Sequence, residues 1–323
     1  MRAAAALGLA ALTAIGSAAA PVGALRAQTS DSTAGAILTL PVGARAVALG
    51  GAYTAVVGDE GSVFVNPAGM AAIRHAAVGL SYQSYLLGAS LAAGGAAVRV
   101  GQLDLGLGLH VLDFARDTVP APGAGSGIAV PGRAMATAYS AAAVGAAAYR
   151  FGMFSVGASA KYVKDHFADP DTTLYNASGF GFDVGGALTF FDIAAFGVAV
   201  QNLGAGLQTS HGTRAPLPRT VRAGFSLNIV DPEGATRLMV IGDWVSPRAA
   251  DAYWAFGLEG GVVWGSVALL ARAGIATGGA PADRRSAAFG GGLEYHNLRL
   301  DYGYQQASTL GGGSSRFGLR WVP

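Results

Sequence analysis

The sequence predicts an all-β protein, a 14-stranded antiparallel transmembrane β-barrel with an N-terminal plug segment inside the lumen. Three observations predict this fold class. Charged residues make up only 12% of the chain, about half the usual share, while 50 of the 323 residues are glycine. No run of about 20 apolar residues follows the N-terminal leader, as a spanning helix would require. From residue 76 onward, apolar and polar side chains alternate with the period of two that is typical of β-strands.

Residues 1–27 are predicted to be a signal peptide. Met1 and Arg2 give a positive start, Ala3 to Ile15 has the length of an apolar h-region, and Leu25 to Ala27 matches a cleavage site. A retained membrane anchor is the alternative. A leader predicts export, and the strand pattern predicts the bacterial outer membrane as the final location.

Residues 28–75 are predicted to form a periplasmic start followed by the plug. The stretch from Gly43 to Ala71 is rich in glycine and alanine, so it packs closely but carries too little apolar bulk for a core of its own. Asn66-Pro67 is either a hinge or a rigid turn, and we favour the turn because proline restricts both residues. Fourteen strands enclose a lumen that wall side chains cannot fill, which is why a plug is expected.

Residues 76–323 are predicted to form the barrel. In Val221–Ile229 and Leu298–Gln305, every second residue is apolar and faces away from the residues between. Short and long links alternate, and an even strand count places both termini on the periplasmic side. The predicted strands begin near residues 76, 89, 103, 134, 153, 179, 193, 220, 236, 252, 266, 286, 298 and 314. The predicted long, external links are 117–133, 166–178, 204–219, 246–251, 277–285 and 307–313.

Aromatic residues indicate the height of the apolar band. Trp254 and Trp264 share a strand face ten residues apart, which is about 33 Å along a strand. A strand tilt of about 40° reduces this to roughly 25 Å along the membrane normal, the spacing between aromatic girdles. A soluble β-sandwich is the alternative, but its apolar face would need a second sheet. The predicted girdle consists of Trp254, Trp264, Tyr302, Tyr304 and Trp321.

Charged residues fall on the opposite strand face, which is predicted to line the lumen. We expect them to pair with Arg45, Asp59 and Glu60 of the plug, and a solvated wall without specific pairs is the alternative. The predicted lumen charges are Arg222, Asp243, Glu259, Arg272, Glu294, Arg299, Asp301, Arg316 and Arg320.

The sequence offers no site for chemistry. Without cysteine there are no disulfides or thiolate metal sites, the five histidines share no metal-ligand spacing, and no Gly-x-Ser-x-Gly elbow occurs. The net charge of +2 is scattered, which argues against a nucleic-acid partner. We therefore predict a protein that is not an enzyme, with no cofactor, no metal and no catalytic residues.

One motif block carries a family resemblance. It reads Gly43-Ala44-Arg45-Ala46, Gly50-Gly51-Ala52, Asp59-Glu60 and Asn66-Pro67-Ala68-Gly69-Met70. This block resembles the N-terminal region of FadL-type outer-membrane barrels, and most closely the PorV/PorQ family associated with type IX protein secretion. The resemblance implies a plug inside a 14-stranded barrel. The C-terminus departs from many outer-membrane proteins, because Trp321 is third from last. The plug motif consists of Gly43, Arg45, Gly50, Gly51, Asp59, Glu60, Asn66, Pro67 and Gly69.

The resemblance implies a non-enzymatic secretion component that binds or shuttles exported proteins through external links such as 117–133 and 204–219. The alternative is a FadL-like diffusion channel for hydrophobic small molecules such as fatty acids. The predicted lumen face is rich in glycine and charge, which argues against a large apolar pocket, although the first strands and the plug could supply one. The expected partners are outer-membrane lipid and lipopolysaccharide, with secreted cargo or a surface-processing partner in the first case and a hydrophobic ligand in the second.

Overall fold

The described part of the chain forms a closed antiparallel β-barrel. The computed structural model describes residues 34–84, 89–114, 137–169, 172–191, 193–210, 212–230, 234–278, 287–306 and 313–323. Its single sheet has sixteen strands, of which the short β8 and β9 lie outside the ring and fourteen close it. The first and last strands pair with each other, so the ring has no free edge. The predicted 14-stranded antiparallel barrel is therefore confirmed.

The strands are β1 Ala76–Ser84, β2 Ser90–Val100, β3 Leu103–Phe114, β4 Thr137–Phe151, β5 Phe154–Asp169, β6 Thr172–Phe190, β7 Ala194–Leu203, β8 Leu207–Thr209, β9 Arg214–Ala215, β10 Thr220–Val230, β11 Thr236–Pro247, β12 Tyr253–Trp264, β13 Val267–Ala276, β14 Ala288–Tyr295, β15 Leu298–Gln306 and β16 Gly313–Trp321. Tight turns join consecutive strands at the end of the barrel where β1 begins. In these turns Gly101, Gly152 and Gly265 have positive φ angles. Glycine adopts this backbone region without strain. No helix among these residues is long and apolar enough to cross a membrane.

Side chains alternate between a buried and an exposed face along the strands. In β3, Leu105, Leu107 and Leu109 are exposed, whereas Asp104 and His110 are buried. The exposed side chains of the barrel are predominantly apolar, and they include the predicted girdle residues Trp254, Trp264, Tyr302 and Trp321, while Tyr304 is half-buried. An apolar outer face on a closed barrel is the surface that a lipid bilayer covers.

One predicted external link is wrong. We expected a link at 166–178, but β5 continues to Asp169 and β6 already begins at Thr172. The two strands extend as a hairpin in which Phe167 pairs with Tyr175. Such aromatic cross-strand pairs stabilise strands, and the short β8 adds to this extension by pairing with β6. The predicted link 117–133 and most of the predicted links 277–285 and 307–313 lie outside the described residues, as does the predicted signal peptide.

The N-terminal segment, residues 34–75, contains only short helices. They are a 3₁₀ helix at Ala36–Thr39, α1 at Ala44–Ala48, and 3₁₀ helices at Glu60–Phe64 and Pro67–Ala72. The Asn66 side chain caps the last of them by accepting from the Ala68 N–H, with Pro67 in the first helical position. Asn66-Pro67 therefore starts a short helix instead of leading directly into β1, because its amide oxygen satisfies a free helix N–H.

The first described residues lie at the end of the barrel opposite to the start of β1. The Ala34 N–H donates to the Pro216 carbonyl at 3.1 Å, and the Gly35 N–H donates to Asp165 Oδ2 at 2.7 Å. Both partners belong to the end with the long links, which we predicted to be external. Hydrogen bonds thus hold Ala34 and Gly35 at the end of the barrel with the long links.

Candidate functional site

Wall glycines allow the N-terminal segment to approach the strands closely. A Cβ on Gly274 would lie 2.2 Å from the backbone nitrogen of Gly50, and one on Gly303 would lie 2.5 Å from the carbonyl oxygen of Ala44. At these positions the backbone of the segment packs directly against the backbone of the wall, which leaves no room for a wall side chain. This close packing explains part of the high glycine content. An added Cβ would meet segment backbone at Gly157, Gly197, Gly274 and Gly303, and segment side chains at Gly79, Gly106, Gly108, Gly185, Gly257 and Gly290.

Gly50 and Gly51 end α1 and reverse the chain. Their φ angles are 68° and 85°, a region that residues with a Cβ rarely adopt. The Gly51 N–H donates to the Ala46 carbonyl at 2.9 Å, which closes the helix end as in a Schellman motif. The motif glycines therefore place Arg45 on one side of the turn and Thr54 on the other.

Arg45 forms the centre of a charged cluster between segment and wall. Its Nε and Nη2 donate to the two carboxylate oxygens of Glu259 at 2.9 and 2.8 Å, and its Nη1 lies 3.1 Å from Asp59. Paired donation of this kind fixes both the distance and the orientation of a guanidinium group. The plug-motif arginine is thus joined to strand β12 and to the segment itself.

Wall residues extend this cluster. Arg272 lies 2.5 Å from Glu259 and 2.7 Å from Asp301, and Arg299 lies 2.9 Å from Asp301. Arg320 lies 2.7 Å from Glu60 of the segment. We call the whole set the charged seam; its four arginines and four carboxylates give it zero formal charge. The charged seam consists of Arg45, Asp59, Glu60, Glu259, Arg272, Arg299, Asp301 and Arg320.

Burial and neighbouring charge act in opposite directions on the two acids of the segment. Burial alone raises the pKa of Asp59, but the charges of Arg320, Arg45 and Arg299 outweigh it and hold the pKa well below its usual range. Burial and the neighbouring Asp59 raise the pKa of Glu60, and Arg320 offsets this only partly. Of the two acids of the segment, Asp59 is therefore the one that the seam stabilises in its charged form.

A second site joins the segment to β10 and β11. The fully buried Asp243 accepts from the Tyr53 N–H at 2.8 Å, the Thr54 hydroxyl at 2.6 Å and Arg222 at 2.7 Å. Arg222 also donates to the Gly51 carbonyl at 2.7 Å. The Asp243 carboxylate thus bonds to two residues of the segment, Tyr53 and Thr54, and to its wall neighbour Arg222.

Two further ion pairs were not predicted from the sequence. Lys161 of β5 lies 2.7 Å from Asp183 of β6, and both are buried. Arg99 lies 3.1 Å from Asp104 and also donates to the carbonyl of Ala71 in the segment. All four charged side chains lie in strands β2 to β6. Charged residues alternate with apolar ones in β3 and β5, and this pattern could have indicated that Asp104 and Lys161 face the lumen.

The remaining predicted lumen charges, Arg316 and Glu294, are placed differently. Arg316 is buried and donates to the Pro41 carbonyl of the segment. Arg237 and Glu294 approach each other only to 3.9 Å, and each side chain is about one-third exposed. The structure thus brings most of the predicted lumen charges to the segment, but not this last pair.

Apolar side chains fill the interior towards the end with the long links. Leu91, Leu112 and Val163 point inwards and are buried, in one cluster with Ile37 of the segment. Leu38 and Leu40 pack against the same cluster. The expectation that few large apolar residues face the lumen is therefore wrong for this end. The first strands supply them, as the alternative interpretation allowed.

The spaces left within the barrel are small. One cavity of about 50 Å³ lies beside Arg45 and Glu60, and another of about 40 Å³ lies between Leu40 and His110. Such volumes hold a few water molecules at most. On the lipid side of β1 to β5, by contrast, the wall forms an apolar hollow of about 1210 Å³ beside Leu80, Leu107 and Tyr162.

Comparison with known proteins supports the fold and no narrower assignment. No family model and no curated protein matches the chain. The chain is similar to the solved structure of the Ralstonia pickettii toluene transporter TbuX, at 14% identity and a TM-score of 0.57, over 86% of this chain and 96% of that one. A Pseudomonas aeruginosa FadL homologue matches at 14% identity and a TM-score of 0.57, over 87% and 98%. The Pseudomonas putida toluene transporter TodX matches at 13% and 0.57, over 87% and 96%.

The barrel, its apolar outer face and these similarities define the class of protein. The chain is a multi-pass β-barrel of the bacterial outer membrane. More narrowly, its fold is the FadL-like 14-stranded barrel.

Proposed function

We propose that this protein is a channel for hydrophobic small molecules across the outer membrane. The observation that carries the proposal is the apolar cluster of Leu91, Leu112 and Val163 inside the barrel, at the end predicted to be external. A charged or hydrated lumen would favour ions and sugars, whereas this lining favours apolar solutes. The similar structures include toluene transporters and a monoaromatic hydrocarbon channel, which supports the same class of cargo.

The N-terminal segment acts as a plug in this proposal. Its support is the fit between the segment and the wall glycines, together with the charged seam. The seam carries no formal charge and each of its charged residues has an oppositely charged neighbour, so it fills the lumen without a counter-ion. No covalent step is involved, and we propose no enzymatic activity.

The two parts of the plug differ in how firmly they are attached. Residues 43–72 carry the seam and the contacts with the wall glycines. Residues 34–42 are held by the apolar cluster and by a few hydrogen bonds, including those of Ala34 and Gly35. An apolar solute can replace Ile37 and Leu38 in the cluster at small cost, because one apolar contact replaces another. We therefore propose that residues 34–42 move during transport and that residues 43–72 stay in place.

The resemblance of the motif block is the one observation that supports the secretion interpretation. The comparisons favour transport, and no contact of the described residues points to a protein cargo. Pull-down of the barrel in detergent, followed by mass spectrometry of bound proteins and lipids, separates the two. A co-purifying exported protein favours secretion, and an apolar small molecule favours transport.

Uptake in cells tests the proposal directly. The full chain is expressed in a bacterial host that lacks its own outer-membrane channels for hydrocarbons and fatty acids, and uptake of radiolabelled toluene and oleate is measured. We expect uptake above the empty host and a loss on Leu112→Asp, which charges the apolar cluster. Leu107→Asn, on the exposed face of the same strand, is the matched control for folding and insertion. A folded barrel that transports neither probe would overturn the proposal.

A further inference from the structure

Two arginines oppose each other at the end of the barrel predicted to be external. Arg219 immediately precedes β10 and Arg248 immediately follows β11, and the adjacent residues Thr220 and Pro247 are paired in register. The Arg248 N–H donates to the Arg219 carbonyl at 2.8 Å, so the pairing continues one residue beyond the strands. Directly opposed residues on neighbouring strands place their side chains on the same face, and like charges there repel each other.

Nothing in the described part of the chain offsets this repulsion. None of the ion pairs between described residues includes Arg219 or Arg248, and both side chains are exposed. Together with Asn202, Gly204 and Pro216, they line a hollow of about 220 Å³. Asn202 is committed elsewhere, because its side chain accepts from Lys161 and donates to the Pro218 carbonyl. Of the described residues, those that line the hollow therefore include two cations and no acid.

The tryptophans on the neighbouring strands indicate how deep this hollow lies in the membrane. Trp244 and Trp254 are cross-strand partners, and Trp254 is exposed and stacks on Phe256 with ring centroids 5.8 Å apart. Tryptophan on the lipid face marks the boundary between acyl chains and headgroups. Arg248 follows Trp244 by four residues on the same face, which is about 13 Å along the strand and roughly 10 Å along the membrane normal. Arginines at this height reach the phosphate layer of the membrane.

We propose that Arg219 and Arg248 bind a phosphate monoester of an outer-leaflet lipid, such as the phosphorylated lipid part of lipopolysaccharide. A phosphate between the two guanidinium groups would accept several charge-assisted hydrogen bonds and remove the repulsion. Arginine suits this role because its planar group matches two phosphate oxygens at once. The site is distinct from the proposed transport path, because neither arginine belongs to the apolar cluster inside the barrel or to the charged seam.

Native mass spectrometry of the purified full chain in nanodiscs tests the proposal. The discs contain phosphatidylcholine with either bisphosphorylated lipid A or the same lipid after removal of its phosphates. The variants are the wild type, the double variant Arg219→Ala and Arg248→Ala, and the control Arg150→Ala, which removes an exposed arginine at the opposite end. Inorganic phosphate is added in a separate arm to distinguish a lipid headgroup from the free anion.

We expect the wild type and Arg150→Ala to retain lipid A and the double variant to lose affinity by roughly tenfold for each arginine removed. We also expect the double variant to be the more thermally stable barrel in pure phosphatidylcholine, because the repulsion is gone. Equal retention by the double variant would overturn the proposal. Equal retention of the lipid without its phosphates, or displacement of lipid A by inorganic phosphate at equal concentration, would overturn the lipid assignment.

Discussion

The contact between Gly274 and the end of α1 provides the sharpest test of the proposed plug. In Gly274→Ala, the new Cβ would lie 2.2 Å from both Gly50 N and Leu49 C, whereas ordinary contact begins at 3.4 Å. The wall and the segment must therefore separate by about 1.2 Å at this point. Neither atom belongs to a flexible side chain, so backbone has to move.

The magnitude of the effect follows from what moves with Leu49. The helix α1 carries Arg45, whose Nη2 lies 2.8 Å from Glu259. A shift of about 1 Å takes that pair out of hydrogen-bond range. Overpacking of a close contact costs typically about 1–3 kcal/mol, and we expect Gly274→Ala to lower the free energy of unfolding by an amount in this range. We also expect increased ion conductance, because the seam opens.

Two measurements check this prediction. Urea unfolding followed by tryptophan fluorescence gives the stability, and single-channel recording in planar bilayers gives the conductance. The control is Gly145→Ala on β4, where an added Cβ would meet nothing within 4 Å. If Gly274→Ala unfolds and conducts like the wild type while the barrel remains closed, the segment does not fit against the wall as described.

Three further predictions concern the seam. Arg45→Ala leaves Glu259 with one partner fewer, and removing one member of a buried pair costs about 3–5 kcal/mol. The urea midpoint of unfolding should therefore fall and ion leakage should rise. Unchanged leakage would argue against sealing by paired charges. Ala44→Cys with Gly318→Cys places two Cβ atoms 3.4 Å apart, close to disulfide geometry. Oxidation of this pair should leave toluene uptake unchanged, since residues 43–72 are proposed to stay in place; loss of uptake that a reductant reverses would contradict this. Because the pKa of Asp59 is lowered in the folded state, its stabilisation is present above about pH 4 and is lost as the pH falls below that value. Asp59→Asn should reduce this acid sensitivity, and equal pH profiles of unfolding for variant and wild type would refute the assignment.

The barrel could be predicted because its signal is local. A strand that separates lipid from lumen alternates at every residue, so Leu298 to Gln305 reveals both its faces without any partner. The extended hairpin of β5 and β6 could not be predicted in the same way. Beyond the membrane both faces of a strand meet water or protein, and the alternation that marks β15 is absent around Phe167 and Tyr175.

The interior was harder to predict because its contacts join residues far apart in the chain. The charges of Arg45 and Glu259 were recognisable, but their pairing spans more than two hundred positions. Leu91 and Leu112 were assigned no role, since the early strands are apolar or small on both faces and one face cannot be told from the other. Only the closed ring shows which of these side chains point inwards.

The strands that close the ring also hold the segment. Glu60 lies against Gly79 of β1 and is paired with Arg320 of β16, and these two strands are hydrogen-bonded neighbours with Gly79 opposite Arg320. A single acidic side chain therefore spans the junction at which the first and last strands meet. We infer that docking of the segment helps to close the ring, and we expect a chain that lacks residues 43–72 to join its first and last strands more slowly when refolding is followed in detergent.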